Sequence, residues 1–490
     1  MPRRGHLWCC KHATLKPMRS RPPSRSESDN RSPRVRSGAR PSASHQRARG
    51  AQFRRAPQPL QTDSLAWAIK TAADCVTEVI AFGRSLTVVL AKLRLQQLPA
   101  NAVRAQAIDL TYATLRRYRR GDVELSMLLD RPTAEDELRS LLRVALCWLE
   151  MHPEKSHVGV DQAVEAAATL SGGRYRGFVN AILRRALRER EQLESAIRAD
   201  DEAQYQHPAW WLQRLKTDWP AQWQTIVAGG NRKPPMGLRV NCLKTDAATY
   251  RQQLLEAGAA VETALCGDPS SAVLLTQPQA AESLPGFAEG LVSIQDLGAQ
   301  QAAQLLNVQP GMRILDACAA PGGKAAHLLE NAAIELTAVE ADRERCIALK
   351  RTLDPARFPA SRSIHVICAD ATQTEAAWAK RPFDAILLDA PCSGSGVAGR
   401  HPDAKWLRRE DDVYALSRTQ KQLLNALWPR LKMGGKLLYG TCSVFAQENN
   451  RQIAAFVARM PDAHLLSETH LLPDARHDGF YYALLQKAAA

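Results

Sequence analysis

The chain is 490 residues long, more than one hydrophobic core can organise, and its length predicts two to four domains. At 45% hydrophobic it is globular in bulk, and the lack of any run of 18 apolar residues argues against a membrane-crossing helix. The net charge of +15 is a poor guide to the folded part: residues 1–56 hold 15 Lys/Arg against Glu27 and Asp29, so they carry +13, and the other 434 residues carry only +2. Eleven cysteines are scattered, without Cys-x-x-Cys or zinc spacing, so no metal site is expected. An odd count with no secretory segment fits a reducing cytoplasm, where thiols serve chemistry or packing.

Residues 1–61, as in "RSRPPSRSESDNRSPRVRSGARPSASHQRARG", are rich in Arg, Ser and Pro and too polar to offset the entropy of ordering. They read as a disordered basic tail, either an electrostatic arm for RNA or an inert extension. A transit peptide is disfavoured by Pro17, Pro22, Pro23, Pro33 and Pro41, which break amphipathic helices. Residues 62–200 read as all helix. In "ELRSLLRVALCWLE", Leu138, Leu141, Leu142, Ala145 and Trp148 fall on one face. "AIDLTYATLRRYRR" puts Ile108, Tyr112 and Leu115 inward and ends in Arg116, Arg117, Arg119 and Arg120. "RYRGFVNAILRRALRER" turns Val179, Ile182 and Leu183 inward and carries six arginines. Two basic helices in a nearly neutral body point to a phosphate-contacting surface, against the plainer reading of solvated polar faces. Residues 201–290 mix tryptophan-rich helix with strand-like "MGLRVN" and read as an α+β connector. From 291 to 490 short apolar strands alternate with helices, the pattern of a doubly wound α/β domain.

In that last region, "GMRILDACAAPGGKAAHLLE" is a strand, a small-residue loop and a helix, a turn that lets backbone N–H groups approach a polar ligand. It is not a phosphate-binding P-loop: Cys318 stands where the first Gly is needed and Ala325 where Ser/Thr follows the Lys. Acids end four successive strands: Asp316, Glu340, Asp370 and Asp389. Together they describe a nucleoside-binding crevice, with Glu340 set to accept from ribose hydroxyls. Two cysteines follow strand ends as well, Cys392 in "ILLDAPCSGSG" and Cys442 in "LLYGTCSVF". The residues alone leave open which sulfur would attack a substrate. Cys75, Cys147, Cys346 and Cys368 sit on apolar faces and read as packing residues, while His401 and Lys405 in "GRHPDAKW" are candidates to line an RNA channel.

The motifs "DACAAPGGK", "DAPCSGSG" with "RHPDAKW", "GTCS…QEN", "LRVN", "SIQDLGAQ" and "DGFYYALL" resemble those of the NOL1/NOP2/Sun family of RNA (cytosine-5) methyltransferases, in particular its bacterial 16S ribosomal RNA branch. "RGFVNAILRR" looks like part of the NusB-like RNA-binding domain found in that branch. The resemblance implies an all-α NusB-like domain, a small connector and a Rossmann-like class I methyltransferase domain. It also implies S-adenosyl-L-methionine as cofactor, held by Cys318, Ala319, Ala320, Pro321, Gly322, Gly323, Lys324, Glu340, Asp370 and Asp389. Glu340 departs from the Asp of many members. Cys442 is implied as the nucleophile, Cys392 as the aid to release and Asp389 as the group at the base. Ribosomal RNA, most simply 16S, is the implied partner of a cytoplasmic, monomeric enzyme. Two alternatives stay open at this point: a transfer RNA substrate, or a NusB-like RNA-binding assembly factor. A methyltransferase for exocyclic amines is disfavoured, since "DAPC" stands where such enzymes carry Asp-Pro-Pro-Tyr.

Overall fold

The structure, a computed structural model, describes residues 59–95, 101–262 and 270–489. The basic tail up to residue 58 lies outside the described residues, as do Cys9, Cys10 and Cys266. Eight helices come first: α1 (Leu65–Ile80), α2 (Leu86–Leu95), α3 (Asn101–Arg116), α4 (Tyr118–Leu128), α5 (Asp136–Met151), α6 (Ser156–Ala167), α7 (Arg176–Arg188) and α8 (Arg190–Ala199). Helix α1 starts at Ser64, whose hydroxyl accepts from the Trp67 N–H, an N-cap that satisfies an otherwise orphaned donor. Its buried face, including Ala66, Ala68, Ile69, Ala72, Ala73 and Val76, is mostly small, so α3, α5 and α6 can pack closely round it. Leu138, Leu141, Leu142, Ala145 and Trp148 are all buried, as the spacing predicts. Gly159 of α6 meets Trp148 edge-on; a Cβ there would lie 2.2 Å from the ring.

Three helices, α9 (Asp201–Tyr205), α10 (Ala209–Asp218) and α11 (Trp223–Asn231), lead into a four-stranded sheet with α12 (Ala247–Glu256). Its strands β1 (Met236–Val240), β2 (Val261–Glu262), β3 (Ala272–Leu275) and β4 (Val292–Ile294) run in the order β2-β3-β1-β4, every pair antiparallel.

The last unit comprises α13 (Leu297–Leu306), β5 (Arg313–Ala317), α14 (Gly323–Asn331), β6 (Glu335–Glu340), α15 (Arg343–Thr352), β7 (Ser363–Cys368) and β8 (Phe383–Asp389). It continues with α16 (Asp403–Leu407), α17 (Glu410–Leu427), β9 (Leu431–Thr441), α18 (Asn450–Val457), β10 (Ala463–Leu471) and β11 (Phe480–Lys487). The sheet order is β10-β11-β9-β8-β5-β6-β7, with β5 to β9 parallel and β10 and β11 antiparallel. Strand β5, "RILDA", is buried at all five positions because helices cover both faces. Chain order reverses between β5 and β8, which opens a crevice at their C-terminal ends. Among the described residues no helix is long and apolar enough to cross a membrane.

Three sequence expectations need correction. Cys368 is exposed rather than packed, because β7 is the edge strand. The basic cluster at the α3–α4 junction is half-buried and engaged by the protein itself: Arg116 donates to Gly399 O, Arg117 pairs with Glu150, Arg119 with Asp200 and Glu202, and Arg120 with Glu124, Glu150 and Glu194. Acids from α4, α5, α8 and the start of α9, of which Glu124 is buried, claim charges that the sequence made look available for phosphate. Lys405 has no exposed surface and cannot touch RNA in this conformation. Its Nζ donates to Arg116 O (3.2 Å) and Asn231 Oδ1 (2.8 Å), while Trp406 Nε1 donates to Leu115 O and Asp403 accepts from Leu86 N. "RHPDAKW" therefore fastens the helical unit and α11 to the last unit. Burial, reinforced by nearby Arg116, pushes the Lys405 ammonium well below the ordinary lysine range.

Candidate active site

The loop after β5 is shaped by its backbone. Cys318 has φ +77°, unusual for a residue with a Cβ, and its N–H and that of Ala319 both donate to Val339 O at 2.9 Å. The Ala320–Pro321 peptide is cis, and Gly322 follows at φ +104°. A Cβ on Gly322 would also lie 2.9 Å from Thr352 of α15, so glycine is required there twice over. Gly323 differs: a Cβ there would meet only the Gln295 side chain, at 3.7 Å, so no protein contact requires glycine at this position. Arg239 of the "LRVN" strand reaches across from β1 to hold this loop. Its guanidinium grips Glu330 through two bonds (2.9 and 2.8 Å) and donates to Gly323 O (2.6 Å) and Gln295. Both charges are almost fully buried, which is tolerable only because the pair is bidentate.

The four strand-end acids lie on neighbouring strands, in the order Asp389, Asp316, Glu340, Asp370 across the sheet. Glu340 is buried and its carboxylate is engaged: Oε1 accepts from Asp342 N (3.0 Å) and Arg345 Nη1 (3.1 Å), and Oε2 accepts from Ala320 N (3.3 Å). Arg345 Nη2 donates to Ala320 O (2.8 Å) and lies in ion-pair contact with Oε2 at 2.9 Å. With Arg345 beside it, most of the carboxylate's roughly four acceptor positions are already engaged by protein groups. Asp370 is exposed and accepts from the Thr372 N–H and hydroxyl. Asp389 pairs with Lys324, the second residue of α14, at 2.7 Å. Burial would lower the Lys324 pKa, but the Asp389 charge and hydrogen bond, with Cys442 and Asp316 nearby, hold it above the ordinary value.

Beside this ion pair the two cysteines meet. The sulfurs of Cys392 and Cys442 are 3.3 Å apart, the first buried and the second partly exposed. They come together because β8 and β9 are adjacent and parallel, with Asp389 opposite Gly440. A residue not singled out in the sequence holds both loops: Glu448, in "QEN", is fully buried. Its carboxylate accepts from Ser393 N (2.8 Å), Ser393 Oγ (2.5 Å), Ser443 Oγ (2.6 Å) and Gln420 Nε2 (3.2 Å). Burial raises its pKa, and the serine hydrogen bonds oppose that rise. Ser393 and Ser443 each follow a cysteine, so one carboxylate fixes both. The sequence carries little signal for it: Glu448 stands among Gln447, Asn449, Asn450 and Arg451, a polar run that reads as a solvated loop and that spacing alone could not connect to Ser393. The tryptophan-rich helices back the same loops: Trp211 packs edge-on against Phe445, and Trp219 Nε1 donates to Val444 O.

A seven-stranded sheet of this order, with a glycine loop after its first parallel strand and acids along the crevice, is a Rossmann-like methyltransferase fold. A solved methyltransferase homologue from Pyrococcus horikoshii, 25% identical, shares it with TM-score 0.51 over 58% of this chain and 97% of its own. The protein PH0851, 23% identical, matches with TM-score 0.71 over 88% of this chain and all of its own. The chain belongs to the RsmB/F family of 16S rRNA methyltransferases. That family's catalytic-domain model matches residues 303–486, its ferredoxin-like domain 207–282, and the NusB family 68–188. Proteins named ribosomal RNA small subunit methyltransferase B from Vibrio cholerae and Pseudomonas putida are both 40% identical to it. The matches cover 85% and 78% of this chain and 96% and 90% of theirs.

Proposed function

We propose that this protein transfers a methyl group from S-adenosyl-L-methionine to C5 of a cytosine in 16S ribosomal RNA, through a covalent bond between Cys442 and C6 of the base. The observation that carries the reading is the meeting of two thiols, 3.3 Å apart, beside the Lys324–Asp389 pair at the mouth of the crevice. A chain that only bound RNA would have no use for that arrangement. The crevice fits the cofactor: Gly323 leaves space, Asp370 is open, and Glu340 offers its carboxylate if Arg345 gives way. When bound, S-adenosylmethionine supplies an electrophilic methyl group.

Cytosine C5 is a weak nucleophile, so the protein must first push electrons into the ring. The Cys442 sulfur adds to C6, and negative charge develops toward N3. The Lys324–Asp389 pair sits where it can meet that charge, Asp389 orienting the base edge and Lys324 holding a proton ready. Once C5 is methylated its proton must leave and the C6–S bond must break, and Cys392, in contact with Cys442, assists that release. The target base has to leave its stack for a sulfur to reach C6. The exposed arginines of α7 and its flank, Arg176, Arg184, Arg188 and Arg190, form the surface best suited to the RNA backbone.

The test is a denaturing gel of each variant incubated with RNA and cofactor. Cys392→Ala is expected to accumulate a slow, ribonuclease-sensitive protein–RNA band. Cys442→Ala and the double variant are expected to give none. A band from Cys442→Ala instead would reverse the two roles, and full activity in both variants would refute the covalent route.

A further inference from the structure

The juxtaposed cysteines carry a second chemistry that does not depend on methyl transfer. We propose that Cys392 and Cys442 form a reversible disulfide under peroxide, making the pair an oxidative modification site. The sulfurs need to close by only about 1.3 Å from 3.3 Å to reach a covalent S–S bond. The frame around them is already closed. Strands β8 and β9 are paired up to Asp389 and Gly440, three and two residues before the cysteines. Beyond that point Gly396 N donates to Cys442 O, Val444 N donates to Ser395 Oγ, and Glu448 binds Ser393 and Ser443. The sulfurs therefore meet without the entropy cost of closing the intervening chain, which is the usual obstacle to a distant pair.

The two thiols differ in access, and that sets the order of events. Cys442 is partly exposed, whereas Cys392 is 1% exposed. The Cys442 thiolate attacks one oxygen of hydrogen peroxide, the O–O bond breaks, and hydroxide leaves, giving a sulfenic acid. The Cys392 sulfur then displaces the sulfenic hydroxyl, which departs as water with the Cys392 proton. Two thiols lose two electrons, and one peroxide becomes two waters. A dithiol reverses the step by exchange, becoming a disulfide itself. Without its neighbour, the Cys442 sulfenic acid would react with a second peroxide, taking up its oxygen as water leaves, to give the sulfinic acid, which ordinary thiols do not rescue. The pair thus closes the site temporarily and spares it permanent damage.

The molecule holds its own comparison. Cys346 and Cys368 also lie against each other at the sheet edge, and Cys368 is exposed. The full-length protein, without RNA or cofactor, is treated with a few molar equivalents of hydrogen peroxide, quenched, capped with a maleimide under denaturing conditions and mapped by mass spectrometry. The expected result is a linked peptide joining Cys392 to Cys442, lighter by two hydrogens and returned to two thiols by dithiothreitol. Cys392→Ser under the same peroxide should instead carry two added oxygens on Cys442, which dithiothreitol does not remove. The proposal is overturned if Cys392 and Cys442 both stay maleimide-reactive while Cys368 is consumed, or if wild-type Cys442 is over-oxidised with Cys392 still a thiol. Because the readout is thiol chemistry, it stands or falls separately from the methyl-transfer proposal.

Discussion

Changing Glu448 to Gln removes one charge and almost no volume, and tests whether a buried carboxylate sets the catalytic geometry. The carboxylate takes four donors, three of them within 2.8 Å. In the amide, the remaining oxygen can keep Ser393 N and Gln420, but the new NH2 faces the Ser393 and Ser443 hydroxyls. Both must turn from donor to acceptor. Charge-assisted hydrogen bonds contribute about 1.5–3 kcal/mol against about 1 for neutral ones, so two weakened bonds cost about 1–4 kcal/mol. That corresponds to a Tm lowered by about 2–16 °C for a unit of this size. The rate should suffer more, because each serine fixes the residue before it, and an error near 1 Å in a reacting atom costs on the order of 10²-fold. Single-turnover methyl incorporation should fall about 10- to 100-fold. Cofactor affinity by calorimetry should hold, since Glu448 touches neither the glycine loop nor the strand-end acids. A folded Glu448→Gln protein with the wild-type rate would refute this. So would a rate loss matched by an equal loss of cofactor binding.

Arg239→Ala strands the buried Glu330 charge and should destabilise the protein by about 3–5 kcal/mol, read from denaturant midpoints. Arg239→Lys should stay folded but bind S-adenosylmethionine about tenfold more weakly, because one ammonium cannot serve both Glu330 and Gly323 O; unchanged affinity would rule out the loop-holding role. Arg345→Ala should bind cofactor more tightly, by about tenfold, because the ribose no longer competes for Glu340; weaker binding would mean Arg345 itself helps hold the ligand. Burial, with Arg239 nearby, lowers the His327 pKa to about 3, so the fold binds a neutral ring while the unfolded chain takes up a proton below about 6.5. Its contribution is therefore complete above pH 6.5 and is lost as the pH falls toward 3. The stability gap between wild type and His327→Gln should narrow by up to about 1.4 kcal/mol per pH unit across that window, and a constant gap would contradict the assignment.

Much of the site was legible because it follows strands. An apolar run that meets an acid or a small polar loop marks a strand's C-terminal end, so Asp316, Glu340, Asp389, Cys392 and Cys442 could be assigned to one rim by pattern. The helix faces of α1, α5 and α7 were legible for a similar reason, since burial repeats with the helical period. Charges were read less well. Arg116, Arg117, Arg119 and Arg120 look like a phosphate site in a linear string, yet all four bond to protein groups supplied by distant segments.

What the sequence by itself determined were local, periodic matters: the order of helices and strands, the glycine loop after β5, and the emergence of two cysteines past strand ends. Only the tertiary structure decided which residues share a neighbourhood. It set β8 beside β9 and so brought the sulfurs of Cys392 and Cys442 to 3.3 Å across 50 residues of chain. It brought Arg239 from another sheet to the glycine loop after β5, sank Lys405 into a junction of three segments, and put Glu448 under both serines. The physical reason is that burial and pairing energies depend on distance in space. A charge next to water and the same charge next to a carboxylate are written with the same letter.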